Sequence, residues 1–341
     1  MLIVGIPKEI KENEFRVSLT PTEVDIITNN NIKVYIQSDA GLGAYFSNIE
    51  YINAGAIICD TIEEIYKYAN LIVKVKEPQE YEYSLINNTH TIFTFFHFAN
   101  SISLINAMLN SKATCIAYET IIDSNGNFPI LAEMSKIAGQ QAILEAFKYK
   151  NNNNINDRIT IIGVGNVGMA SALKAKEKGY KTINLIDKNF EKIKNMADNG
   201  FNVYDFSNFN LTKLLSESDI IIGSIYNNGE KAKKIIDNYM LNLLPVDSII
   251  IDVAIDQGGI TEYSKPTTIA NPIIKYNNTK IYCVPNIPSL IPHQASIKLA
   301  NVIYPYVINI ANNNYNNNYN NEIISGINIQ NGLVLLKSLH F

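Results

Sequence analysis

Ile159-Thr-Ile-Ile-Gly-Val-Gly-Asn-Val-Gly-Met169, followed by Thr182-Ile-Asn-Leu-Ile-Asp187, is the stretch that decides the fold. Apolar and β-branched residues run straight into Gly163-x-Gly165-x-x-Gly168. A helical pattern follows from Met169 to Lys178 and stops at Gly179, and a second strand-like run ends on an acid. This is the order of a dinucleotide-binding βαβ unit. Gly163 permits the tight turn and Gly165 admits a pyrophosphate to the backbone. Asn166 and Val167 open the helix whose N-terminus carries the anion, and Gly168 lets helix and strand pack closely. Asp187, about 20 residues on, accepts hydrogen bonds from an adenosine ribose and repels a 2′-phosphate, so the expected cofactor is NAD rather than NADP. Lys188 and Lys192 stand close enough in sequence to soften that choice.

A chain of 341 residues exceeds one ordinary core and suggests two domains. Hydrophobic residues make up 47%, enough for a globular protein, and the formal charge of −4 does not point to nucleic acid or an anionic membrane. No stretch approaches 18 uninterrupted apolar residues, and the apolar opening before Pro7 is too short for a secretory signal. Cys59, Cys115 and Cys283 are odd in number and far apart, as expected in a reducing cytoplasm. They and the four histidines have no metal-ligand spacing, so no metal is expected. Asn151–Asn156 and Asn312–Asn321 are low-complexity tracts, expected as solvated loops.

Strand-like and helix-like runs alternate throughout, an α/β signature. The first set of strands falls at 2–6, 33–37, 71–75, 91–96 and 113–117, with helices at 21–29, 51–54, 62–68 and 103–110. Thr20 and Pro21 mark N-cap and first position of the earliest helix. A helix from Ser135 to Tyr149 leads into the nucleotide unit. That unit has strands at 159–163, 182–186, 202–204, 219–224, 248–253 and 280–284, and helices at 166–178, 189–198, 211–216 and 237–243. A helix at 294–311 returns to the first domain. The expected fold is α/β, with two Rossmann-like domains. An NAD-binding domain of residues 130–292 is inserted into a discontinuous substrate domain of residues 1–129 and 293–341.

Ligands of open α/β sheets lie beyond the carboxyl ends of the strands. The polar side chains there are Lys76 and His97 in the first domain and Asp256 in the second, with Arg16 in the first loop. Singly each has a bland explanation: a solvated lysine, a core histidine, a turn aspartate, a surface ion pair. Together they supply what amination or deamination of a 2-oxo acid requires. Two cations bind the substrate carboxylate, an imidazole trades protons at C2, and a carboxylate steadies a cationic imine.

Gly5-Ile-Pro-Lys-Glu-Ile-Lys-Glu-Asn-Glu-Phe-Arg-Val-Ser-Leu-Thr-Pro21 resembles the opening signature of the alanine dehydrogenase and pyridine nucleotide transhydrogenase group. Leu71-Ile-Val-Lys-Val-Lys-Glu-Pro78, Tyr118-Glu-Thr120, Met134-Ser-Lys-Ile-Ala-Gly139, Asp252-Val-Ala-Ile-Asp-Gln-Gly-Gly259, Lys265-Pro-Thr-Thr268 and Tyr282-Cys-Val-Pro-Asn-Ile-Pro288 match in order. The resemblance spans roughly residues 1–311 and leans to the L-alanine dehydrogenases, because His97 and Asp256 stand at their places. It implies L-alanine, pyruvate and ammonium as substrates. Arg16 and Lys76 then hold the carboxylate, and His97 and Asp256 do the proton chemistry. Ser135, Asp187, Lys192, Asn286 and the loop around Ile255 match cofactor contacts. A homo-oligomer, often a hexamer, is implied. The neighbouring activities are reductive amination of another 2-oxo acid, opine-type synthesis, and a transhydrogenase-like NAD module without amino-acid chemistry. The chain departs from the group's pattern at Gln140, at Asn227–Lys233 and at His293-Gln294.

Overall fold

The computed structural model describes residues 2–225, 232–313 and 319–336. They divide into two compact units, one of residues 1–134 and 289–341 and the other of residues 135–288.

In the first unit, β1 (Val4–Ile6), β2 (Val34–Gln37), β3 (Ile57–Cys59), β4 (Leu71–Val73), β5 (Thr91–Thr94) and β6 (Thr114–Ala117) form the parallel part of one sheet, ordered β6-β5-β4-β1-β2-β3. β1 pairs with both β2 and β4, so the connections diverge on either side of it. The crevice of an open sheet lies at such a point. β1, β4 and β5 are buried throughout, and their continuous apolar runs suit strands covered on both faces. The covering helices carry their own start signals. Thr61 and Glu64 form a reciprocal capping box ahead of Ile62–Tyr68, and Ser47 and Glu50 do the same for Asn48–Asn53. Helix Pro21–Asn29 starts after Thr20, but the Thr20 hydroxyl donates to the Glu23 carboxylate instead of capping a backbone N–H.

The second unit repeats the design. β7 (Arg158–Ile162), β8 (Thr182–Asp187), β9 (Asn202–Asp205), β10 (Ile220–Gly223), β11 (Ile249–Asp252), β12 (Ile273–Tyr276) and β13 (Thr279–Tyr282) are ordered β12-β13-β11-β10-β7-β8-β9. The pairs are parallel except β12 with β13. The strand order reverses at β7, and the turn Gly163–Gly168 leaves that strand there. The helix expected over 189–198 runs as α-helix only from Phe190 to Ile193 and tightens to a 3₁₀ coil over Lys194–Asn199.

Helix Pro292–Asn313 belongs to the first unit, where it packs on helix Pro21–Asn29 and near β4. Residues 314–318 of the asparagine tract lie outside the described residues, and its two described ends differ from the expected solvated loop. Asn312 and Asn313 still belong to that helix, and Asn320 caps helix Asn321–Gly326 by accepting from the Ile323 N–H. β14 (Ile327–Gln330) then adds antiparallel to β6, and β15 (Leu333–Val334) pairs back on β14. The hairpin turns at Asn331 (φ 53°) and Gly332 (φ 76°), both left-handed, as a two-residue type I′ turn requires.

Candidate active site

Three loops at the carboxyl ends of β1, β4 and β5 bring Arg16, Lys76 and His97 into one electrostatic neighbourhood of the first unit. Each is held by a carboxylate. Glu14 binds Arg16 in a fork, with Nε donating at 2.6 Å and Nη2 at 2.5 Å, and it also accepts the Arg16 backbone N–H at 3.1 Å. Both side chains are buried, and Nη1 lies 3.5 Å from the Met134 sulfur. A planar guanidinium paired this way is fixed in orientation, with much of its charge already balanced.

Glu9, after β1, accepts the successive N–H groups of Val75 (2.6 Å) and Lys76 (3.3 Å) through one oxygen. Its other oxygen lies 3.3 Å from the ammonium of Lys74, which also pairs with Glu82 at 3.0 Å. Tyr66 donates to Glu82 at 2.9 Å. A buried ionic cluster thus anchors the segment that presents Lys76. Among the described residues the Lys76 ammonium forms no ion pair. Burial first, and then the Arg16 and Lys11 charges, push its pKa below the ordinary lysine value. Binding an anion relieves that penalty.

His97 leaves β5 in the left-handed region, φ 48° and ψ 44°, uncommon for a residue with a Cβ. Its ring stacks on Phe95, centroids 5.7 Å apart and 4° from parallel. It keeps solvent access. Desolvation, then Lys76, Lys11 and Arg16, lower its pKa to about 3, so the imidazole is neutral at pH 7. By contrast, His90 is the structural histidine: its ring nitrogens meet the Asn87 N–H and the Tyr66 carbonyl.

In the second unit the glycine turn has the geometry its spacing predicts. Gly163 has φ +90°, and a Cβ there would meet the Ser224 carbonyl at 2.8 Å. A Cβ on Gly168 would lie 2.0 Å from the Gly163 carbonyl oxygen. Gly165, the N-cap of helix Asn166–Glu177, has nothing within 4 Å of its Cβ direction, and no side chain caps that helix. Bare amide N–H groups facing an open cradle fit a pyrophosphate. Asp187, at the end of β8, accepts the N–H of Val164 (2.7 Å) and of Asn189 (2.8 Å). A carboxylate has further lone-pair directions for ribose hydroxyls.

The other positions expected to touch the cofactor are spread through this unit. Ser135 is half-buried on helix Pro129–Tyr149, Lys192 is exposed on the helix after β8, and Asn286 is left-handed at φ 56° after β13. The Ile255 side chain packs in the core with Ala254 and Ile260. Asp256 is exposed on the 3₁₀ turn after β11, followed by two glycines with positive φ. Within Asn227–Lys233, residues 227–231 lie outside the described residues. His293 donates from Nδ1 to the Ala44 carbonyl at 2.8 Å and stacks on Phe46.

These features define a two-unit Rossmann-like α/β protein, one unit with a glycine-rich turn after its central strand and the other with cations and an imidazole at its strand ends. The chain belongs to the alanine dehydrogenase/PNT family: the model of its N-terminal domain matches residues 5–138 and that of its C-terminal domain residues 153–337. It is 33% identical to the alanine dehydrogenase of Methanococcus maripaludis, over 99% of this chain and 95% of that protein. A solved L-alanine dehydrogenase superposes with a TM-score of 0.90 at 28% identity, covering 98% of this chain and 97% of that one. A transhydrogenase from Sinorhizobium meliloti superposes at 0.87, with 20% identity, over 99% of this chain and 100% of that one, a likeness of fold alone.

Proposed function

We propose that the chain is an NAD-dependent L-alanine dehydrogenase, interconverting L-alanine, NAD⁺ and water with pyruvate, ammonium, NADH and a proton. The observation that carries this reading is the grouping of Arg16, Lys76 and a neutral His97 at adjacent strand ends of one unit. Arg16 and Lys76 hold the substrate carboxylate. His97, uncharged at neutral pH, accepts a proton as alanine is oxidised and returns it when pyruvate is reduced. Asp256 steadies the cationic imine and activates water or ammonia. NAD, when bound, takes up or supplies the hydride at C2, and Gly163, Gly165, Asn166, Val167, Gly168 and Asp187 form its cradle. Ser135, Lys192, Ile255 and Asn286 complete the contacts. We place the enzyme in the cytoplasm as a homo-oligomer. Its three buried free cysteines suit a reducing compartment, and among the described residues no helix is long and apolar enough to cross a membrane.

A panel assay tests the reading. Reduced nicotinamide is followed by absorbance with L-alanine, L-serine, glycine or 2-aminobutyrate as donor, and with pyruvate plus ammonium or plus an amino acid in reverse. L-alanine and pyruvate plus ammonium are the expected best pair. Turnover only with pyruvate plus an amino acid identifies opine-type synthesis, and none with any donor identifies a module without this chemistry.

Two further results are expected. Asp187 makes NADH the preferred coenzyme, by at least about 100-fold in kcat/KM, because a carboxylate facing a 2′-phosphate in a partly desolvated site is repelled by several kcal/mol. Equal efficiency with NADPH removes Asp187 from that role. The second result concerns protons. The cations that depress His97 are the ones a bound carboxylate neutralises, so pyruvate raises the imidazole pKa from about 3 toward its ordinary value. Pyruvate binding, with NADH present and ammonium absent, therefore takes up protons, more as pH falls toward 6. Pyruvate reduction slows as pH rises. Calorimetry in two buffers of different ionisation enthalpy measures the uptake, and buffer-independent heats contradict the coupling.

A further inference from the structure

The His97 backbone is clamped from the neighbouring strand. β6 pairs in register with β5, Thr94 opposite Ala117, and passes into a 3₁₀ turn over Tyr118–Thr120. From that turn the Glu119 carboxylate reaches back. Oε1 accepts the His97 N–H at 2.6 Å and Oε2 the Phe96 N–H at 3.3 Å. The turn is itself buttressed, since Thr120 Oγ1 donates to Asn328 Oδ1 on β14 at 2.9 Å. Left-handed backbone at a residue with a Cβ is strained and persists only where its surroundings over-determine it. Two successive N–H groups ending on one carboxylate provide that constraint.

We propose that Glu119 is a positioning residue for the imidazole: its ionised carboxylate fixes the left-handed turn that aims His97, and the turn loosens when Glu119 takes up a proton. A protonated carboxyl keeps one good acceptor, so one of the two N–H groups loses its partner. The groups around Glu119 set where this happens. Burial raises its pKa to about 7, against the opposing pull of its own N–H, those of His97 and Phe96, and the Lys76 charge beyond the end of β4. Tyr118 on the same turn stays neutral, with its pKa raised by burial, and Asn328 on β14 carries no charge. His97 of the ligand-free protein, at about 3, does not titrate in this range. A step near pH 7 in the ligand-free protein therefore belongs to Glu119; in alanine oxidation, where the bound carboxylate raises the His97 pKa, the part of the acid limb that belongs to Glu119 is the part lost in E119Q.

The inference rests on the proposed reaction only for its kinetic readout, so the test has two arms using the full chain and the variants E119Q and E119D. In the first arm, kcat and KM for alanine are measured across pH. Wild type loses kcat as pH drops through 7. E119Q loses about 10–100-fold in kcat throughout, the scale of a misplaced catalytic group. It keeps its KM within about twofold and retains only the His97 part of the limb, shifted to lower pH, while E119D falls between. The second arm needs no substrate. Ethoxyformylation of His97, read by peptide mass spectrometry against His293, shows a step near pH 7 in wild type and none in E119Q. Thermal unfolding guards against misfolding. Holding an ionised Glu119 costs stability, so relative to E119Q the wild type loses stability as pH climbs from the ordinary carboxylate range through 7. An E119Q that keeps both the acid limb near pH 7 and the modification step overturns the proposal. A modification step in a wild type that oxidises no alanine keeps Glu119 in its role and overturns the reaction instead.

Discussion

His97→Ala is expected to lower kcat for alanine oxidation by about 10²–10⁴-fold while NADH binding, followed by fluorescence, stays near normal. The size follows from the state of the ring. The imidazole is neutral at pH 7 because burial and three nearby cations hold its pKa near 3. It is therefore a ready proton acceptor without a prior deprotonation step. Its ring stacks on Phe95 and retains solvent access, so truncation removes a reacting group without opening the core. Asp256→Asn is expected to cost at least about 100-fold for the corresponding reason, loss of the carboxylate that steadies the imine. Near-normal turnover in either variant assigns that residue a structural role.

The second large effect is on substrate binding, and the structure ranks the two cations. Lys76→Ala should raise the KM for pyruvate by the larger factor. Its ammonium is desolvated and has no ion-pair partner among the described residues, whereas two of the Arg16 nitrogens are already bound by Glu14. A desolvated charge-assisted contact is worth about 2–5 kcal/mol, which is roughly 30-fold to several thousandfold in KM. Arg16→Ala carries a second penalty, an uncompensated buried Glu14 carboxylate, and so should also lower thermal stability. Initial rates over a pyruvate range, with unfolding temperatures alongside, separate the two. A normal KM in the Lys76 variant removes it from the carboxylate site.

The parts legible in the sequence are those where one local rule dominates. Gly163 and Gly168 are demanded by positive φ and by close backbone approach, and the structure shows both constraints, while at Gly165 it shows open space. Helix Ile62–Tyr68 announces both ends through Thr61 and Glu64. The tail strands β14 and β15 are hard to read from the sequence because they are short and follow directly on the low-complexity asparagine tract. Their signal was the Asn331-Gly332 pair between short apolar runs, the strongest local mark of a hairpin. Asn277 and Asn278 turn β12 into β13, with Asn277 left-handed at φ 50°. The carboxylates Glu9, Glu14 and Glu119 are different. Each was visible inside a motif, but its task depends on which backbone N–H or guanidinium lies beside it, and for Glu9 and Glu119 that neighbour comes from another strand. No spacing rule encodes such a contact.

The central claim is that this chain removes the amino group of L-alanine at the expense of NAD⁺. Its most direct test is stoichiometric: the purified protein is incubated with L-alanine and NAD⁺, and pyruvate, ammonium and NADH are each quantified. Equal amounts of all three, abolished in His97→Ala, are the predicted result. NADH formed without pyruvate and ammonium, or no product from L-alanine at all, contradicts the account.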